Sequence, residues 1–176
     1  MYAVRAAQEV RAAGPSPKVA VPPHALAFLR RHEEEEQRHL AEFEKMTGVK
    51  AREKEALPKV PGQWPALAVQ LYGYEALGLE FARLLASLRP DLGHILADEE
   101  EHVGFFEREV RAILERGRGG ANAARDFARA WLKRLPKTVG RYLQGPELAP
   151  YRDELAERIL SSVKTRFVSA GLLFSS

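Results

Sequence analysis

The sequence predicts an all-α fold, and three observations carry that reading. Proline and glycine gather at a few places and leave long stretches between them. Those stretches are rich in Ala, Leu, Glu and Arg, which favour helix. Within them apolar residues recur at three- and four-residue spacing, and no stretch shows sustained alternation of period two.

The elements follow in order. A short first helix is expected over 2–13, ended by Gly14, Pro15 and Pro17. The second runs over 23–47, opened by Pro22-Pro23 and stopped by Gly48. Its stripe is Leu29, His32, Glu36, His39, Leu40, Phe43 and Met46. A long connection over 48–65 contains Pro58, Pro61 and Gly62. The third helix, over 64–88, is almost wholly apolar, with Glu75 and Glu80 as its only acids. Arg89-Pro90-Asp91 makes a sharp turn. The fourth helix, over 91–117, carries the stripe Leu92, Ile95, Leu96, Glu99, His102, Val103, Phe106, Val110 and Ile113. Gly117 to Gly120 forms a break, a fifth helix covers 121–144, Gly145-Pro146 forms another break, and a sixth helix covers 147–172. Two regions are expected: a metal-binding bundle over 1–117, and a C-terminal helical extension over 118–176 packed on it.

Composition excludes several functions. The chain has 176 residues and no cysteine. That removes disulfide scaffolds, thiol catalysis, Cys-ligated zinc and iron–sulfur clusters. Any metal must rest on Asp, Glu or the five histidines. No run of 18 apolar residues exists, and residues 1–13 lack the apolar core of a secretory signal, so a cytoplasmic location is expected. Arginine outnumbers lysine 19 to 8 and Asn122 is the only asparagine, a thermophile-like composition.

Both stripes contain ionisable residues, and that is the informative anomaly. Buried charge is costly unless it is paired or bound to metal. The stripes are also copies of each other. An offset of 63 residues carries Glu36 onto Glu99, His39 onto His102, Phe43 onto Phe106 and Glu44 onto Glu107. A Glu and a His three residues apart project from one helix face. Two such pairs facing across a bundle offer two imidazoles and two carboxylates to a pair of ions. One Glu-x-x-His arises readily in acidic runs such as Glu33–Glu36, but two in register across a repeat do not.

The candidate ligands are therefore Glu36, His39, Glu99 and His102, with a further carboxylate from the third helix. Glu75 and Glu80 lie on different faces of that helix. Counting from Pro90 places Glu80 at the height of Glu99, and Arg83 at i+3 offers it an ordinary salt bridge. Glu75 has no basic residue at i+3 or i+4, so a metal more readily explains it. His32, one turn before Glu36, is either a further ligand or a buried core histidine.

On Glu36/His39, Glu75 and Glu99/His102 the sequence resembles the ferritin-like di-iron carboxylate superfamily. Tyr74-Glu75-Ala76 through Glu99-Glu100-Glu101-His102 looks like the MiaE-type tRNA hydroxylases. Glu33 to Met46 looks like the demethoxyubiquinone hydroxylases. The resemblance implies a ferritin-like four-helix bundle with a short first helix, a long crossover between helices 2 and 3, and two extra C-terminal helices. It implies two iron ions, with manganese or zinc as alternatives, and dioxygen-dependent hydroxylation or another oxidation of an organic substrate. It favours Glu75 as the third-helix ligand. It also expects a first-helix carboxylate, for which Glu9 is the only acid in 1–13.

Two other readings remain. One is metal storage or peroxide scavenging in a rubrerythrin-like manner. The other is a non-enzymatic helical module that binds RNA or an anionic membrane surface through residues 111–141. That segment holds nine Lys/Arg against two acids. Trp131 and Tyr142 are its candidates for stacking on bases. A homodimer is the expected assembly, with the C-terminal helices packing on the bundle or forming the dimer contact.

Overall fold

The computed structural model describes residues 20–50 and 59–174. The described residues are helical, with no strand among them, as the spacing predicts. The expected first helix, with Glu9, lies outside them. No helix among them is long and apolar enough to cross a membrane. The chain divides into two compact units after Leu67.

The first unit contributes one long described helix, α1 (Pro23–Thr47). Pro23 stands in its first turn, where a missing N–H removes no helical bond. Gly48 ends it at φ 67°, its N–H bonded to the carbonyl of Glu44. That left-handed conformation suits glycine. Ala25, Phe28, Leu29, His32, Glu33 and His39 are buried. The stripe fades toward the C-terminus, where Met46 is exposed.

The second unit holds the remaining helices. Helix α2 (Trp64–Leu88) begins just before the division and supplies the largest single share of the unit's apolar core. A 3-10 turn at Pro90–Leu92 follows. Its entry is clamped by Arg89, which donates from Nε and Nη2 to the Asp91 carboxylate at 2.9 and 2.6 Å. Helix α3 (Gly93–Glu115) returns along α2. Three side-chain meetings define that hairpin: Tyr72 with Glu107, Glu75 with His102, and Gly78 with Glu99. The α2 positions are three apart, so one face of α2 meets α3 throughout.

Helix α4 (Arg118–Tyr142) starts earlier than expected. Of the glycines in this break only Gly117 adopts a positive φ, and Gly119 and Gly120 are helical, so the break is just Arg116 and Gly117. Trp131 lies against α2, at a position where a Cβ on Gly73 would stand 2.7 Å from its ring. The last helix starts later than expected. Pro146 and Pro150 hold Pro146–Tyr151 in a 3-10 turn, and α5 (Arg152–Ser169) follows. A residue before proline resists the α conformation, which explains the delay. Arg152 donates back to the carbonyls of Leu143 and Gly145 and secures the corner.

Leu155, Ile159, Val163 and Phe167 form the buried stripe of α5 at four-residue spacing. Phe167 stacks on Tyr72 and tilts against Trp131, with centroids 5.6 Å apart in each pair. These aromatic contacts join α2, α4 and α5 into one core. The helices expected as an extension thus share a compact unit with α2 and α3.

Candidate metal site

The hairpin of α2 and α3 brings Glu75, Glu99 and His102 together. His102 is fully buried and Glu75 is 7 % exposed. His102 Nδ1 lies 3.7 Å from Glu75 Oε2 and 3.9 Å from Glu99 Oε2. One ligand atom from each residue falls within 4.8 Å of the others. These separations exceed those of direct hydrogen bonds. They match donors arranged around one ion, since donors about 2.1 Å from a metal stand roughly 3–4 Å apart.

Elementary geometry explains the convergence. Glu99 and His102 are three apart on α3, so their side chains leave the same face. Glu75 leaves α2 from the face turned toward α3. Gly78, one turn further on, leaves space beside Glu99: a Cβ there would meet Glu99 Oε2 at 3.4 Å. The sequence reading passed over Gly78. Its signal was a glycine in mid-helix three residues after a candidate ligand, where glycine otherwise only weakens the helix.

Glu80 is placed elsewhere. It is 1 % exposed, and its Oε1 accepts from Arg83 Nη1 at 2.8 Å. Its Oε2 lies 3.1 Å from Arg158 Nε on α5, and Arg158 Nη2 also donates to the Glu80 carbonyl. Two guanidinium groups neutralise this carboxylate, so it needs no metal. Counting residues from the turn matched Glu80 to Glu99 by height, but the face decides, and Glu80 faces α5.

In the first unit, α1 carries the other motif. His39 is buried, and its Nδ1 lies 3.8 Å from Glu36 Oε1. Burial pushes the Glu36 carboxyl up, but opposing interactions, the hydrogen bond with His39 the largest of them, hold its pKa at about 2. An ionised carboxylate is the ligating form. Of the acidic run, Glu34 is exposed while Glu33 is buried, so the run is not a uniformly solvated face. His24 and His94 are exposed near helix starts.

The tyrosines have other roles. The Tyr72 hydroxyl donates to Glu107 Oε2 at 3.1 Å and to the Arg166 carbonyl at 3.4 Å. Burial first, and then the Glu107 carboxylate, push its ionisation well above the ordinary tyrosine range. Tyr74 packs edge-on against Trp131.

Trp131 corrects one expectation. It is 5 % exposed and fills the core between Tyr74 and Phe167, so its ring is closed to a nucleic-acid base. The period of α4 puts Trp131 on its apolar stripe with Leu135, and the protein's own core takes that stripe. Lys133, Arg134, Lys137 and Arg141 are exposed on the helix.

The donors present are nitrogen and oxygen, convergent and with Glu75 and His102 buried, and they fit a transition-metal ion such as iron, manganese or zinc. Compared with family models, curated proteins and solved structures, the chain matches none.

Proposed function

We propose that this is a ferritin-like dimetal carboxylate protein that binds two ions, iron foremost, and uses dioxygen to oxidise a small organic substrate. The observation that carries the reading is the convergence of Glu75, Glu99 and His102, of which Glu75 and His102 are buried. Three donors of metal-binding type gathered within 4.8 Å of one another, two of them buried, support a bound cation. The internal repeat supplies the second half: Glu36 and His39 occupy the positions of Glu99 and His102 in the first copy.

Iron, when bound, supplies the redox electrons and the reactivity toward dioxygen. The chain's own residues do the rest. Glu75 and Glu99 bring negative charge into a region of low dielectric. His102 presents Nδ1 toward both carboxylates. Val103 and Phe106, buried beside His102, keep water from the interior.

Metal analysis of protein purified from iron-supplemented medium tests the reading. About two equivalents of transition metal are expected, falling by at least half in His102→Ala and His39→Ala. Less than a tenth of an equivalent in the unaltered protein, unchanged in both variants, rejects it. Incorporation of labelled oxygen into an organic product supports hydroxylation. Steady peroxide turnover without an organic product points instead to scavenging, and metal uptake with neither points to storage.

A further inference from the structure

Helix α4 carries a charged surface that the metal site does not use. Its apolar stripe, with Trp131 and Leu135, is turned into the core. Arg129, Lys133, Lys137 and Arg141 stand at four-residue steps on the opposite side, and all four are exposed. At the helical rise this row runs for about 18 Å. Arg134 is exposed beside it, its guanidinium over the Phe127 ring at 5.9 Å from the centroid. Ala130 and Gly140, also exposed on this side, are too small to screen the cationic heads.

The charge of this face is not neutralised from within. Asp126 is the only acid on α4, and Arg129 is paired with it. Lys133, Arg134, Lys137 and Arg141 have no carboxylate within ion-pair distance among the described residues. Lys133 with Lys137, and Lys137 with Arg141, are like charges at i and i+4, an arrangement that weakens a helix. An anion laid along the row removes that repulsion.

The rest of the surface selects the anion. The large exposed apolar side chains among the described residues are Met46, Val49, Leu88 and Phe174, and none is on α4. A helix that lies in a membrane interface needs such side chains to bury there. Trp131 is closed in the core and Tyr142 is half-buried, so the face offers no open ring for stacking on unpaired bases. Phosphate contact remains, and a duplex presents about one charge per 1.7 Å of its axis with its bases already stacked. We propose that the outer face of α4 binds the phosphate backbone of double-stranded nucleic acid through Lys133, Arg134, Lys137 and Arg141. Contacts to phosphate alone carry no sequence preference. The proposal uses none of the metal ligands and stands apart from the dimetal reading.

Fluorescence anisotropy of the full chain with a short labelled DNA duplex tests this. Binding is expected at about 50 mM salt, and log K is expected to fall against log salt with a slope of about −4, roughly 0.9 for each of four phosphates. The double variant Lys133→Ala/Lys137→Ala, checked for helicity by circular dichroism, is expected to bind tenfold or more weakly and to flatten the slope by about 2. The double variant Arg30→Ala/Lys164→Ala removes the same charge from exposed positions on α1 and α5, and is expected to bind within twofold of the unaltered protein. Equal weakening in both double variants reduces the effect to net charge and overturns the proposal. Absence of duplex binding at that salt also overturns it. Tighter binding to single-stranded DNA, or to vesicles of equal parts phosphatidylserine and phosphatidylcholine, overturns the choice of a duplex. Each of these results leaves the dimetal reading to be decided by metal content.

Discussion

Two glycines on α2 show how single positions separate stability from binding. A Cβ on Gly78 would meet the Glu99 carboxylate, at 3.4 Å from Oε2. Alanine there gains up to about 1 kcal/mol of helix propensity. It also displaces the carboxylate by a few tenths of an ångström. Gly78→Ala is therefore expected to unfold at the same temperature or higher while binding metal about tenfold more weakly, in line with the effect of altering groups that orient ligands. Melting curves with and without metal check this. Gly73 is the opposite case. Its Cβ would stand 2.7–2.8 Å from the buried Trp131 ring, so Gly73→Ala is expected to cost about 1–3 kcal/mol by denaturant titration.

Tyr72 adds a pH signature at the same scale. Its ionisation is raised in the folded protein by burial and by Glu107. The unfolded chain therefore loses this proton first. The associated stability is fully present below about pH 10, the ordinary tyrosine value, and is lost as pH rises beyond it. Tyr72→Phe is expected to cost about 1 kcal/mol at neutral pH through the lost hydrogen bonds, and to flatten the alkaline decline. Denaturant midpoints between pH 7 and pH 11 measure both. None of these three roles was visible in the sequence, because each depends on which residue of another helix stands opposite.

The elements were far more legible. Periodicity and the proline and glycine breaks marked α1 and α2 to the residue, since Pro23, Gly48, Trp64 and Pro90 are strong local signals. The two errors at helix starts were also local. Gly119 and Gly120 tolerate helix once α4 has a buried stripe, and Pro150 postpones α5 by several residues. The choice between Glu75 and Glu80 was less legible, because spacing along a helix fixes height and angle but not which neighbour each angle meets. Arg158 of α5 settles the surroundings of Glu80 from 78 residues away. Glu80→Ala leaves two guanidinium groups without their carboxylate and is expected to cost about 3 kcal/mol, at the lower end for a broken buried pair because both arginines are partly exposed. Its metal content is expected to be unchanged. A drop in metal to the level of Glu75→Gln would move the ligand from Glu75 to Glu80.

For the whole molecule, metal binding is a term in folding. A ligand held only by the native state adds about 2.7 kcal/mol when present at a hundred times its dissociation constant. Glu75 and His102 are buried at the hairpin of α2 and α3, and a bound ion offsets their desolvation, so the effect is directed there. The melting temperature is expected to rise by several degrees on adding iron(II) or zinc without oxygen, and to return on chelation. Calorimetry of the His102→Ala variant is expected to show little of that rise. The net charge of +3 joins the exposed basic residues of α4 to a set of buried acids, so salt is expected to shift stability little compared with metal.

The packing of Trp131 also gives the protein an optical gauge. The chain has two tryptophans, and Trp64→Phe leaves Trp131 alone. That indole lies on α2 beside Gly73 and Tyr74, the residues just before Glu75. A paramagnetic ion held by Glu75 shortens the excited-state lifetime of a ring so near, while a diamagnetic one does not. Blue-shifted emission that dims with iron(II) and persists with zinc turns a core residue into a reporter of occupancy, readable in dilute solution as each ion arrives.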